Sequence, residues 1–374
     1  MKTKTMSAYV YDGRGVAKKR VPVPRPRPND VLVRVHCVSI CGSDFHIFAN
    51  DDWARETITP GMVIGHEGAG FVEEVGAEVS NLAKGDYVAL ESHYACPSCE
   101  REGKTADNCP HYGIIGIHGA GQGDGRHQTG GVFAECVSIP HYCCHKLSEA
   151  IREKVFPSLL EPAGNSWEII RFFMEKGLPE NLAIHGCGPH GLNMQLFARH
   201  AGVRNIVAFE TDPWRLDFAR RFGAAHHALD PARVSSQEIK DLAGGRGFDA
   251  AIDMVGNISV VEDCEENVRD GGMVVLFGLP RHEADVAHGE GFARIIFNNE
   301  EHLMEREGKK FLLRGFTGRT QKTWEELVRA LESSEFLRER LSLPLRVIGG
   351  LNELDSFIRA KPEHYLKIGM GAFA

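Results

Sequence analysis

The sequence predicts a two-part α/β protein, and three observations carry that expectation. About the first 150 residues are rich in β-branched runs. From about Asn181 onward, short apolar runs alternate with helical patterns. The turn that opens this alternating half reads G-x-G-x-x-G. A chain of 374 residues is also longer than one hydrophobic core usually serves, so two domains are expected.

The elements follow in chain order. "PVPRPRPND", Pro22 to Asp30, reads as a stiff edge segment leading into a strand, with a polyproline ligand as the competing reading. "VLVRVHCVSI" and "GFVEEVGAEV" are β-branched runs cut by Gly and Asp, which predicts strands. In the second half, "NLAIHG", "NIVAFE", "FDAAIDMVG", "GGMVVLFG" and "FLLRGF" are strand-like, and "GLNMQLFARHAG" and "WRLDFARRFGA" are helical. Strand and helix at this spacing argue for a parallel sheet covered by helices. Arg281 to Lys310 is charged and reads as a surface excursion. "TWEELVRALESSEFLRERL" reads as one amphipathic helix and "YLKIGMGAF" as a closing strand.

Bulk composition narrows the function classes. Hydrophobic residues make up 43% and charged residues 25%, as in ordinary globular proteins. The formal net charge is -8 and no Lys/Arg cluster stands out, which argues against a nucleic-acid partner. No stretch approaches the roughly 18 apolar residues of a spanning helix, and the N-terminus lacks the apolar core of a signal peptide. A cytoplasmic location is therefore expected, with ten reduced cysteines. In that compartment a C-x-x-C pair suggests a metal before a disulfide.

Gly186, Gly188 and Gly191 form the G-x-G-x-x-G turn between an apolar strand and a helix. Glu210 stands nineteen residues after Gly191, at the end of the next strand. That context makes the turn a dinucleotide fingerprint. Gly186 permits the tight turn, Gly188 lets backbone approach a pyrophosphate, and Gly191 lets helix and strand pack closely. The helix N-terminus offers free N–H groups to the phosphates. Glu210 accepts hydrogen bonds from ribose hydroxyls and repels a 2′-phosphate, so NAD is expected over NADP. Arg215 lies along the ribose or is a solvated surface cation. An ordinary strand–helix turn is the competing reading of the whole motif.

A second set of residues lies upstream. "CVSICGSDFHIF" carries Cys41, Ser43, Asp44 and His46; "VIGHEGAGFVEEVG" carries His66 and Glu67; "LLEPAGNSW" carries Glu161. Singly, each has a bland reading: a small buried hydrophobe for Cys41, a satisfied core histidine for His66, an exposed charge for Glu67, a helix-start carboxylate for Glu161. Together with "GHEGAGFVEEVGAEVSNLAKGDYV", Gly65 to Val88, they resemble the zinc-dependent medium-chain dehydrogenases, nearest the L-threonine 3-dehydrogenase and polyol dehydrogenase branch. The resemblance covers nearly the whole chain. It implies a GroES-like β-rich catalytic domain over 1–160, a Rossmann cofactor domain over 161–318 and a return to the catalytic domain over 319–374. It places the active site in the cleft between domains.

The same resemblance implies roles. Cys41, His66 and Glu161 bind a catalytic zinc, Glu67 is a ligand or lies just behind one, and Asp44 receives the other N–H of His66. One thiolate, one imidazole and one carboxylate leave a position open for substrate. Ser43 accepts the proton of the substrate alcohol and passes it through the cofactor ribose to His46, while hydride goes to the nicotinamide. Ser43 and His46 as plain turn residues are the alternative. Arg319 pairs with the cofactor pyrophosphate or forms a domain-interface salt bridge.

The family also carries a four-cysteine structural zinc lobe, and here it is one thiolate short. Cys96, Cys99 and Cys109 remain, with Glu102 at the third ligand position. Glu102, His93 and His111 are candidate fourth ligands; three ordinary thiols without metal are the competing reading. His93 is also a candidate for the substrate pocket. Five glycines between Gly116 and Gly125, with His118 and His127, read as a flexible loop rather than a metal tract.

The expectation is thus an NAD-dependent zinc dehydrogenase acting on a secondary alcohol (a polyol, a sugar-derived alcohol or a β-hydroxy amino acid), with ketone as product and a homodimer or homotetramer as the assembly. An NADP-dependent carbonyl reductase and a catalytically silent cofactor-binding protein are the alternatives.

Overall fold

The computed structural model describes residues 4–102, 109, 112–117, 130–279, 291–360 and 362–373. The chain separates into two compact units, Met1–Pro162 with Arg319–Ala374, and Ala163–Gly318. The first unit therefore extends past Glu161 and takes in the whole C-terminal segment. Among the described residues no helix is long and apolar enough to cross a membrane.

The first unit is built on a seven-stranded sheet. Its order is Leu345–Gly350, Lys367–Gly371, Asp30–Ile40, Glu67–Val75, Tyr87–Leu90 and Cys144–Lys146, with Cys136–Pro140 pairing Asp30–Ile40 off this path. Only the first pair is parallel. Asp30–Ile40 has three partner strands, which explains why its burial is nearly continuous and only Arg34 and His36 reach solvent. Its Val31, Val33 and Val38 are fully buried, as are Ile64 and Phe133 in the same core. Each such side chain contributes about 1.5–3 kcal/mol of burial. The proline-rich segment carries no strand between 23 and 29 and enters the sheet at Asp30.

The second unit is a doubly wound sheet. Taken in sequence, Asn181–His185, Asn205–Phe209, His227–Leu229, Phe248–Asp253, Val268–Leu276 and Lys309–Gly315 are parallel. Their spatial order is third, second, first, fourth, fifth, sixth. The first strand thus lies at the switch point, where such sheets bind ligands beyond the carboxyl ends of the strands. The core is dominated by Ala183, Val207, Phe248, Ala251, Val274 and Leu313, all fully buried.

Two readings of the sequence need correction. The charged stretch is not wholly a surface excursion: its described part holds a helix over 291–297 and the strand Glu301–Arg306, antiparallel to Lys309–Gly315. Ile295 and Ile296 are buried in the core, while Glu301–Arg306 is an edge strand and tolerates its charges. The single long helix is two, Gln321–Ser333 and Glu335–Arg340. Ser334 is extended (φ -118°, ψ 106°) and its side chain accepts from the Leu337 N–H, so it caps the second helix.

Candidate active site

Strand register assembles the first site. Asp30–Ile40 and Glu67–Val75 are antiparallel with Ser39 opposite Glu67, which sets Cys41 and His66, just past the paired ends, side by side. Donor atoms of Cys41, His66 and Glu67 all lie within 4.8 Å of one another. His66 and Glu67 are buried and Cys41 is half-buried. Asp44 is fully buried; its Oδ2 accepts from the Cys41 N–H at 2.8 Å, and its Oδ1 is 3.9 Å from His66 Nδ1. That gap exceeds a hydrogen bond, and among the described residues neither buried atom has a hydrogen-bond partner. Burial alone lowers the pKa of His66, but Asp44, Cys41 and Glu67 carry it up to about 10. Burial raises Asp44 to about 6. The cluster therefore attracts positive charge, and a thiol, an imidazole and a carboxylate converging in a buried place fit a zinc ion.

Two carboxylates here, Glu67 and Glu161, each have a cation of their own. Glu67 Oε1 accepts from Lys367 Nζ at 2.6 Å, and its Oε2 accepts from Ser39 Oγ. Glu161 lies outside the group of three; its Oε1 accepts from Ser92 Oγ and from Arg319 Nη2. Burial opposes ionisation of Glu161, but Arg319, His66 and Ser92 hold its pKa below the usual range. Arg319 is only 2% exposed, and its guanidinium lies over the Trp324 ring at 5.6 Å. Glu161 and Arg319 belong to the same unit, so this ion pair is not a domain-interface bridge. Removing one member of such a buried pair typically costs about 3–5 kcal/mol.

Sequence reasoning missed Ser39, Ser92 and Lys367. Lys367 gave a readable signal, a lone cation inside the apolar run "YLKIGMGAF". The two serines gave none.

Ser43 and His46 share the helix Gly42–Ala49, which Cys41 begins. Ser43 is half-buried. His46 is exposed, with Nδ1 2.5 Å from Asp51 Oδ2.

In the lobe, Cys96, Cys99 and Cys109 are buried with their sulfurs within 4.8 Å of one another. The Cys96 N–H donates to Cys109 Sγ at 3.3 Å. Burial works against a Cys96 thiolate, yet Ser98, the Cys99 backbone and the neighbouring thiols bring its pKa down; hydrogen bonding to Cys109 and burial push Cys99 up. One thiolate thus forms readily among three sulfurs, and a cation would stabilise the others. Glu102 is exposed and stands outside this group. His93 lies edge-on to Tyr112 at 6.0 Å. His111, His118 and His127 lie outside the described residues.

The second unit holds the glycine turn. Gly186 has φ +100°, a conformation side-chain-bearing residues rarely adopt. A Cβ on Gly191 would sit 1.9 Å from the Gly186 carbonyl oxygen. Gly188 caps the helix Pro189–Ala201 and has open space beside it. Glu210 follows Asn205–Phe209 and is largely buried. Its Oε2 accepts from the Cys187 N–H at 2.8 Å, and its Oε1 from the Thr211 and Asp212 N–H groups at 2.9 Å each. The carboxylate is thereby locked beside the glycine turn. Arg215 is exposed, and its backbone N–H donates to Asp212.

Residues 27–149 match the alcohol dehydrogenase GroES-like domain, and residues 189–333 match the zinc-binding dehydrogenase domain. This chain is a zinc-dependent medium-chain alcohol dehydrogenase family member. The dehydrogenase is 32% identical to the L-threonine 3-dehydrogenases of Burkholderia ambifaria strain MC40-6 and Burkholderia thailandensis, in each case over 87% of this chain and 88% of the relative. It also resembles the alcohol dehydrogenase of Thermus sp. ATN1, with a TM-score of 0.75 and 25% identity over 98% of this chain and 100% of that one. The 2R,3R-butanediol dehydrogenase of Bacillus subtilis, at 21% identity, shares the fold, with a TM-score of 0.72 over 98% of this chain and 99% of that one. Membership in this family implies zinc and a nicotinamide cofactor.

Proposed function

We propose that the dehydrogenase oxidises a secondary alcohol to a ketone with NAD as acceptor, and that the alcohol is a polyol, a sugar-derived alcohol or a β-hydroxy amino acid. The buried convergence of Cys41, His66 and Glu67 carries this reading. Cys41, His66 and Glu67 would hold the zinc, with Glu161 as the carboxylate beside it. When bound, the zinc polarises the alcohol oxygen and the nicotinamide accepts the hydride.

The chain's own residues do the rest. Asp44 anchors the Cys41 backbone and faces the imidazole of His66. Lys367 and Arg319 pair with Glu67 and Glu161 in a buried place and offset their charge. Ser43 takes the hydroxyl proton, and His46, half in water, releases it. The Cys96, Cys99 and Cys109 lobe is a structural metal site that stiffens its loop.

The choice of NAD rests on Glu210, whose fixed negative charge opposes a 2′-phosphate. The substrate class rests on the likeness to L-threonine 3-dehydrogenases. The test is cofactor reduction by the zinc-loaded protein with L-threonine, 2,3-butanediol and sugar alcohols, using NAD and NADP in parallel. The expected result is turnover of a secondary alcohol, with kcat/KM favouring NAD by roughly 100-fold. Equal or better use of NADP would overturn the cofactor assignment. Turnover of primary alcohols alone would overturn the substrate class.

A further inference from the structure

His46 Nδ1 and Asp51 Oδ2 are 2.5 Å apart, five residues apart in sequence. We propose that Asp51 is a positioning residue for His46, holding the imidazole with Nδ1–H toward the carboxylate and leaving Nε2 as the atom that takes the proton. This rests on the reading of His46 as the proton's exit to water.

Asp51 uses its two oxygens for two tasks. Oδ1 accepts from the Ala54 N–H at 3.0 Å and caps the helix Asp52–Thr57. Capping needs one oxygen, and Asn or Ser would serve equally well. Oδ2 is turned away from the cap and meets the imidazole. Only a carboxylate offers an anionic acceptor there, and an anionic acceptor both selects the tautomer and stabilises the imidazolium.

The surroundings hold this pair in place. Asn50, between the two helices, is in the left-handed region at φ 52°, and its side chain accepts from the buried Tyr11 hydroxyl at 2.7 Å. His46 is in the last turn of its helix, where the C-terminal end of the dipole favours a cation. Trp53 presents an edge to the imidazole at 6.1 Å. Asp52 and Arg55 are charged groups beside the pair; Arg55 bonds Asp52 and the Asn50 carbonyl, and it favours the Asp51 anion. The imidazole is 54% exposed, as a group that gives protons to water requires.

Asp51→Asn is the discriminating variant, because it keeps the helix cap and removes the anion. The first measurement is nitrogen NMR of the zinc-loaded protein with labelled histidine. In the wild type, neutral His46 should carry its proton on Nδ1, and Asp51→Asn should weaken that preference. The second is the pH profile of kcat/KM for NAD reduction with L-threonine and 2,3-butanediol. Asp51→Asn should lose roughly tenfold at neutral pH, with its lower limb displaced, and Asp51→Glu should recover most of the loss. Unchanged His46 resonances in Asp51→Asn would overturn the proposal. So would shifted resonances with wild-type kinetics, which would leave only a surface ion pair. A wild type that oxidises neither these nor other secondary alcohols would instead sink the dehydrogenase reading, and the role of Asp51 with it.

Discussion

Two purposes are proposed for the one carboxylate of Glu210. It accepts from the Cys187 N–H in the glycine turn and from the Thr211 and Asp212 N–H groups beside it, and its charge is the basis of the proposed preference for NAD. Glu210→Gln keeps acceptor oxygen and removes charge, so it separates the two. Its preference for NAD over NADP should fall by roughly tenfold or more, with a small change in melting temperature. Glu210→Ala should also lose about 1–3 kcal/mol of stability, because buried N–H groups would be left without acceptors. Kinetics with both cofactors and thermal unfolding check this; an unchanged preference in Glu210→Gln would mean the charge does not choose the cofactor. Glu210 was legible because nineteen residues after Gly191 is a local, fold-determined spacing. Lys367 and Ser92 were not legible as partners. Lys367 meets Glu67 across 300 residues of sequence and Ser92 meets Glu161 across 69, and only three-dimensional packing supplies such pairings.

At the scale of elements, the strands of the second unit were readable because buried parallel strands are short apolar runs, as in "NLAI" and "FDAAID". The break at Ser334 was hidden because the apolar period continues through it and one cap residue decides it. Asp249 shows how such strands are tied at their starts. Its Oδ2 accepts from the Glu180 and Asn181 N–H groups at 2.9 and 2.8 Å, and its Oδ1 accepts from Arg269 Nε at 2.7 Å. Burial opposes the anion, but Arg269 and the two N–H groups hold its pKa below the usual carboxylate range. A depressed folded-state pKa adds stability above the unfolded value, and that stability is lost as pH falls through the folded value. Asp249→Asn should therefore cost about 1–2 kcal/mol near neutral pH, with the difference from wild type narrowing only below about pH 4. Denaturant unfolding at a series of pH values checks the sign. A difference independent of pH down to acid would show that packing, and not the charge, was lost.

For the whole molecule, both candidate metal clusters found among the described residues belong to the first unit, and they differ in their donors. In the cluster at Cys41 and His66, Lys367 and Arg319 already offset Glu67 and Glu161. Stripping that metal should leave the protein folded and inactive. In the lobe the donors are three buried thiols drawn together, so metal there should stabilise its loop directly. Zinc counted per chain, on wild type, Cys41→Ser and Cys109→Ser, tests both ideas. Two zincs in the wild type and one in either variant are expected, with Cys109→Ser melting lower than Cys41→Ser. One zinc, lost only in Cys41→Ser, would mean the lobe holds no metal and its thiols pack as small apolar groups. One zinc, lost only in Cys109→Ser, would take the metal out of the reaction, and Lys367 and Arg319 would then be counterions for two carboxylates with no ion to share.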